Sequence, residues 1–275
     1  MADEVPTGVG MTAIGVAYLR ALESRRDDPW FEDPLATAAC AAAGWGAPDG
    51  GDVELPGSWA RMPQWISLRT RFLDEVVLDA VADGVEQVVV LAAGLDARAF
   101  RLDLPPTTRW WELDLPEMVA FKESAVDDAG LVPRCDRRVV VTDVLDDWPS
   151  LLVDDGWSPA RPTCWLVEGL LVYLEQQDVE SLVALLGRRS APGSRLAVAS
   201  SSAGRVQARR EEGEVAAVVE LWRSGVPDDV VGWLGGHGWD ATEGDPVALA
   251  SRWGRPGWVG EDATGAPTLV DARRA

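Results

Sequence analysis

Residues 88–114, VVVLAAGLDARAFRLDLPPTTRWWELD, decide the fold. Val88 to Leu91 is apolar at every position, as in a parallel strand covered on both faces. Ala92, Ala93 and Gly94 follow as a small-residue turn, where a backbone can approach a ligand closely. A second apolar stretch through Trp110 and Trp111 delivers Asp114 twenty positions after Gly94. At the carboxyl edge of a sheet, that carboxylate can accept both hydrogen bonds of a ribose diol. The pairing of turn and spaced acid is how an α/β fold builds a nucleoside site. The plainer reading is an ordinary βα turn followed by a solvated aspartate.

Outward from this stretch, strands and helices alternate. Strands are expected near 87–91, 108–113, 138–142, 163–168 and 195–200, with helices near 97–102, 116–129, 146–153 and 175–190. Such alternation implies a parallel sheet with right-handed crossovers. Upstream, Thr12 caps a helical pattern through about Arg26, and Asp33-Pro34 opens a second helix to about Ala43. Residues 44–57 read as a loop, and Gln64 to Ala82 as a long amphipathic helix. Downstream of Ser202 a helical pattern runs to Ser224 and another spans 228–237, with closing strands at 238–242 and 267–272. Residues 1–83 are therefore expected as a helical extension covering a crevice, and 84–275 as the ligand-binding domain, the two forming one compact unit.

Composition narrows the function classes. The chain has 275 residues and a formal net charge of −20, which disfavours nucleic acid because phosphate binding draws on clustered Lys and Arg. No apolar run approaches the roughly 18 residues of a membrane span, and no basic segment followed by an apolar one opens the chain. A cytoplasmic location and a small-molecule partner are expected. Cys40, Cys135 and Cys164 lack metal-ligand spacing, and His237 is the one histidine, so neither disulfide nor metal is expected. Fourteen tryptophans, spread along the chain, read mainly as packing.

Two further strand ends carry acids: Thr142-Asp143-Val144 and Val167-Glu168-Gly169. Carboxylates converging on one crevice suit a ligand with ribose hydroxyls, an exocyclic amine and an ammonium group, which favours S-adenosylmethionine over NAD. The turn Ala92-Ala93-Gly94-Leu95-Asp96-Ala97 also lacks the dinucleotide glycines and sets Asp96 where a pyrophosphate would be repelled.

The chain resembles the leucine carboxyl methyltransferase-like family of S-adenosylmethionine-dependent O-methyltransferases. Thr12-Ala13, Arg20-Ala21-Leu22-Glu23, Asp33-Pro34, Arg69-Thr70-Arg71-Phe72, Leu91 to Asp96 with Arg98 and Arg101-Leu102, Glu112 to Pro116, Asp143 and Glu168 to Leu174 carry the likeness, over nearly the whole chain. It implies a Rossmann-like, seven-stranded, mostly parallel sheet. It also implies cofactor contacts from the turn at Ala92 and Gly94, from Asp114 and Leu115 at the ribose, from Asp143 and Val144 at the adenine end, and from Glu168 beside the methionine part. Arg69 is implied to face the cofactor carboxylate, with Arg20 a second basic candidate. The family usually has glycine at the position of Ala92 and often leucine at that of Val144.

The acceptor is argued from the residues alone. With no histidine in the crevice, an oxygen that is already ionised is the simplest nucleophile, so a small or carrier-derived carboxylic acid fits best and would become a methyl ester. A hydroxyl acceptor would need a base. Tyr18 and Tyr173 are positioning candidates, and no catalytic residue stands out. Arg69 could instead pair with Asp74 on its own helix, Arg98 and Arg101 could simply anchor helix to sheet, and His237 reads as a helix cap. An NAD-dependent oxidoreductase and a non-catalytic binding protein are the competing classes. Oligomeric state is not legible.

Overall fold

The computed structural model describes residues 5–46, 60–211, 217–260 and 266–275. Helices α1 (Val9–Ser24), α2 (Pro34–Ala42) and α3 (Met62–Ala82) precede β1 (Gln87–Leu91). Then follow α4 (Arg98–Arg101), β2 (Arg109–Asp114), α5 (Pro116–Asp128), β3 (Asp136–Val141), α6 (Trp148–Asp154) and β4 (Thr163–Glu168). The chain closes with α7 (Gln176–Arg189), β5 (Arg195–Ser200), α8 (Ala203–Glu211), α9 (Ala217–Glu220), α10 (Val230–Gly236), β6 (Trp239–Glu243), α11 (Pro246–Arg252) and β7 (Thr268–Arg274). The strands form one seven-stranded sheet in the order β3-β2-β1-β4-β5-β7-β6, and β7 alone runs against its neighbours. No helix of the described residues is long and apolar enough to cross a membrane.

Strand register sets the site. Leu91 lies level with Leu113 on one side and Val167 on the other. The next residue of each chain, Ala92, Asp114 and Glu168, therefore reaches the carboxyl edge together, at the point where the strand order reverses. Alternate residues serve opposite faces. Val88, Val90, Trp110 and Leu166 join the core shared with α1, α2 and α3, whereas Val89, Leu91, Trp111 and Val167 join a second core containing Trp148, Trp157 and Leu182. The tryptophans are mostly packing residues of these layers: the Trp148 and Trp157 rings meet Trp165 edge-on, and Trp30 meets Trp253 and Trp258 in the same way.

The segment before β1 divides in two. The α3 helix packs directly on β4, β5 and β7, whereas α1 lies on α2 and α3. Asp33 caps α2 as its dipeptide foretells, its side chain accepting from Ala36 N at 2.8 Å. Thr12 does not cap α1. The helix starts three residues earlier, and the Thr12 hydroxyl donates back to the Val9 carbonyl at 2.6 Å. The far end of α1 is pinned by Arg255, whose Nη1 and Nη2 donate to Glu23 at 3.0 and 2.9 Å while its guanidinium stacks between Trp30 and Trp258. Residues 47–57 of the expected loop, and 212–216 of the expected helix to Ser224, lie outside the described residues; α8 and α9 occupy the flanks of the latter.

Candidate cofactor crevice

The turn after β1 is built around its backbone. Ala92 has φ +50°, the one non-glycine residue with positive φ among those described, and Gly94 has φ +49°. An L-residue is strained there by about 1–2 kcal/mol, whereas glycine is not. This is the position where the resembled family has glycine, so the departure carries a conformational cost. Ala92→Gly is expected to raise the unfolding free energy by about 0.5–1 kcal/mol, the relief of strain less the added freedom of the unfolded glycine. Urea melts of the two proteins would check this; a loss of stability would mean that the methyl group's packing against the second core outweighs its strain.

Asp114 reaches back to this turn. Its Oδ2 accepts from Gly94 N at 2.5 Å and its Oδ1 from Leu115 N at 2.8 Å, which fixes the carboxylate across the gap between β1 and β2. Burial raises its pKa, opposed by those two backbone donors. The Leu115 side chain beside it is exposed. On the neighbouring edge, Asp143 Oδ1 accepts from Leu145 N at 2.9 Å, and Val144 is buried with its carbonyl accepting from Trp148 Nε1 at 3.1 Å. The ends of β1, β2 and β3 thus line up along one rim.

Asp96 points elsewhere than its sequence position suggests. Its carboxylate turns inward, taking Arg98 N at 2.7 Å on Oδ1 and Arg98 Nη1 on Oδ2, so its charge is neutralised inside the protein and does not guard the turn against phosphate. What disfavours a dinucleotide is the missing glycine pattern of the turn.

Glu168 is the electrostatic centre. Its Oε1 accepts from Arg20 Nη2 at 2.6 Å and from Arg69 Nε at 2.8 Å, and its Oε2 accepts from Arg98 Nη1 at 2.8 Å. Burial would raise this acid, but Arg20, Arg98 and Arg69 hold it well below the usual carboxylate range. Arg98 continues inward, donating from Nε to Asp74 Oδ1 at 2.8 Å, and Asp74 also takes Arg101 Nη1 and Nη2 at 2.7 and 2.6 Å. The expected alternative pairing of Arg69 with Asp74 is not formed; Arg98 and Arg101 occupy that acid.

The two basic candidates differ. Arg20 has every nitrogen engaged: Nε with Thr70 Oγ1 at 3.2 Å, Nη1 with the Leu95 carbonyl at 3.3 Å and Nη2 with Glu168. Arg69 uses Nε alone, and among the described residues its Nη1 and Nη2 have no hydrogen-bond partner. They lie over Gly169, where an added Cβ would sit 3.5 Å from Nη1. Burial lowers the pKa of Arg69, opposed by Glu168. A guanidinium with its planar fork open is built for a carboxylate.

The tyrosines separate as well. Tyr173 OH lies 3.1 Å from Thr12 Oγ1, and since Thr12 already donates to Val9, Tyr173 is the donor across this contact. Tyr18 packs its ring edge-on against Trp45, the ring centres 6.1 Å apart. His237 follows α10, with Nδ1 3.0 Å from the Trp233 carbonyl, at the far edge of the sheet. Burial pushes the thiols of Cys135 and Cys164 up to about 12 and that of Cys40 to about 11, so all three are neutral. Among the described residues, no group of three or more His, Cys, Asp or Glu side chains is placed to hold a metal ion. Sequence reasoning missed the central role of Arg98; the two arginines just after the turn were its one visible trace.

The pH dependence of stability follows from these shifts. Burial alone would raise Glu168 and Asp96, but their arginine partners lower both from ordinary values of 4.5 and 3.8. A depressed acid stabilises the fold above its ordinary pKa, and the contribution is lost as pH falls through the lowered value. Asp33 and Asp114 are raised, chiefly by burial, and act with the opposite sign, regaining stability on protonation. The arginine-held pair should dominate below about pH 4, where denaturant stability is expected to fall; an increase on acidification would contradict it.

The sequence profile described as "Leucine carboxyl methyltransferase" matches residues 13–187. The chain belongs to the leucine carboxyl methyltransferase family. A Frankia alni protein, provisionally named an S-adenosyl-L-methionine-dependent methyltransferase, is 42% identical over 255 residues, covering 91% of this chain and 89% of its own. A Streptomyces coelicolor relative, named in the same way, is 42% identical over 258 residues, covering 91% and 90%. Among solved structures, a DUF574 family protein from Streptomyces avermitilis superposes with a TM-score of 0.58 at 17% identity, covering 94% of this chain and 97% of that one. Magnesium protoporphyrin IX methyltransferase from Synechocystis, solved with bound SAH, superposes at 0.51 and 12% identity, covering 82% and 90%. These structural likenesses bear on the fold, which is the Rossmann-like methyltransferase sheet. As a member of the leucine carboxyl methyltransferase family, the protein is an S-adenosylmethionine-dependent methyltransferase.

The crevice fits that cofactor. An acid fixed at the end of β2 suits a ribose diol, an open arginine fork suits an α-carboxylate, and the turn between them presents backbone with little side chain.

Proposed function

We propose that this methyltransferase forms methyl esters on the carboxylate of a small natural-product acid or a carrier-derived acid. The observation that carries the reading is the state of Glu168. Held by three arginines far below its ordinary pKa, the one acid at the centre of the crevice is too weak a base to take a proton from an alcohol near neutrality. Tyr173 gives its proton to Thr12, the thiols are neutral, and His237 lies at the other end of the sheet. An acceptor that arrives ionised meets no such obstacle. The family description, leucine carboxyl methyltransferase, agrees with it.

When bound, S-adenosylmethionine supplies an electrophilic methyl group on a sulfonium sulfur. In this reading Asp114 accepts from the ribose hydroxyls with Leu115 flanking them, Asp143 and Val144 bracket the adenine end, and the backbone of Ala92 and Gly94 lines the middle. Arg69 holds the cofactor carboxylate through its open nitrogens, while Arg20 and Arg98 fix Glu168 beside the methionine part. The α1 helix and Tyr173 close over the site and exclude water.

A cofactor with an isotopically labelled methyl group, incubated with the protein and a small-molecule extract of an actinobacterium, provides the test. The expected product is a base-labile methyl ester, formed at a rate roughly constant from about pH 6 to 8 because the acceptor stays ionised. A base-stable ether, or a rate rising about tenfold per pH unit, would identify a hydroxyl acceptor instead.

A further inference from the structure

The sheet ends in β3 on one side, and the backbone of that strand is half used. Asp136 N and Thr142 N donate to the carbonyls of Thr108 and Asp114, each at 2.9 Å, so the even-numbered residues of β3 bond to β2. The N–H and C=O of Val139 and Val141 therefore point outward. Among the described residues no loop backbone or side chain bonds to them.

Edge strands are usually blunted by proline, a bulge, charged side chains or a covering element. Charge occurs only at the start of β3, and it is engaged within the molecule: Arg137 donates to Glu112 and Glu123, and Arg138 to Asp136 and the Asp155 carbonyl. The run Val139-Val140-Val141 is left as an apolar edge. Val141 is 50% exposed, and Leu145, just beyond it, is exposed as well. The α6 helix, tied to β3 by the Asp155 contact, adds exposed Leu151 and Val153.

What fits this edge is a second copy of it. Antiparallel pairing about Val140 sets Val139 of one copy opposite the partner's Val141. Both residues present N–H and C=O outward, so the two symmetric pairs exchange four hydrogen bonds. The same two-fold brings Arg134, just before β3, alongside the partner's Asp146, in the turn just after it. Both are exposed, and among the described residues neither side chain has an ion pair or hydrogen bond within its own chain. A parallel arrangement would set like charges together instead. With a net charge of −20 opposing association of copies in general, a contact that joins opposite signs is required.

We propose that the protein forms a two-fold dimer by antiparallel pairing of its β3 edges, joining the two seven-stranded sheets into one.

The test is sedimentation equilibrium of the full chain over about 1–100 μM, where a reversible monomer–dimer equilibrium is expected. Val141→Pro removes one outward N–H from each copy and leaves the ladder to β2 intact, since an edge strand accepts proline where the N–H faces solvent. It should weaken association about tenfold or more, with the near-ultraviolet circular dichroism of the packed tryptophans unchanged. Arg134→Asp and Asp146→Arg, each alone, should weaken it several-fold by setting like charges together. In R134D/D146R the two-fold restores opposite pairs, and the dissociation constant should return to within about threefold of its original value. This charge series decides the matter even if the proline variant fails to fold. A monomer throughout the concentration range, a dimer that a folded Val141→Pro leaves as tight as before, or no recovery in R134D/D146R would overturn the proposal.

Discussion

Glu168→Gln is expected to lower the unfolding free energy by about 3–5 kcal/mol, the usual cost of removing one partner from a buried ionic cluster. The replacement preserves size but leaves Arg20, Arg69 and Arg98 facing one another around a neutral amide, and Arg20 and Arg98 are almost fully buried. An amide has only one acceptor oxygen, so at least one of the three guanidinium contacts must also be lost. Guanidinium chloride melts read this directly. A loss of less than about 1 kcal/mol would mean that Asp96 and Asp74 already balance the arginines and that Glu168 serves ligand binding alone.

Asp114→Ala is expected to weaken S-adenosylmethionine binding by about 2–3 kcal/mol, or roughly 30- to 150-fold, with a smaller effect on the fold. Two losses combine. The ribose hydroxyls lose a charged acceptor, and Gly94 N, now held by Asp114 Oδ2, is released, loosening the turn on which the cofactor would lie. Isothermal titration of the folded variant decides the matter: an unchanged dissociation constant would refute the ribose assignment.

The sheet was legible because its strands are apolar runs with short, punctuated connections. All five parallel strands fall within two residues of their expected limits, and the two closing strands are in place. Local signals failed where two of them competed or one was overlooked. Thr12 looks like a cap, yet its hydroxyl turns back into a helix already under way. The α11 helix was not anticipated, although Asp245-Pro246 repeats the device that announced α2, with Asp245 accepting from Val247 N and Ala248 N. In the crevice, Asp114 and Glu168 could be located from strand ends alone. The role of Arg98 could not, since its acids come from 24 residues before it and 70 after. Nor could the inward turn of Asp96, which the same arginine causes.

The α1 helix is fastened at three heights by unequal means: a hydroxyl pair at Thr12, a buried ion pair at Arg20 and a two-pronged ion pair at Glu23, each to a partner more than a hundred residues away. The neutral contact is the weakest and the ionic ones the strongest, so thermal fraying is expected to begin at the amino end. In the lid role proposed for it, the helix would open from its amino end, as a door hinged at the carboxyl end, beside Thr12 and Tyr173. Thr12 is then the position at which a substitution is expected to change the residence time of a bound cofactor without disturbing the charges below.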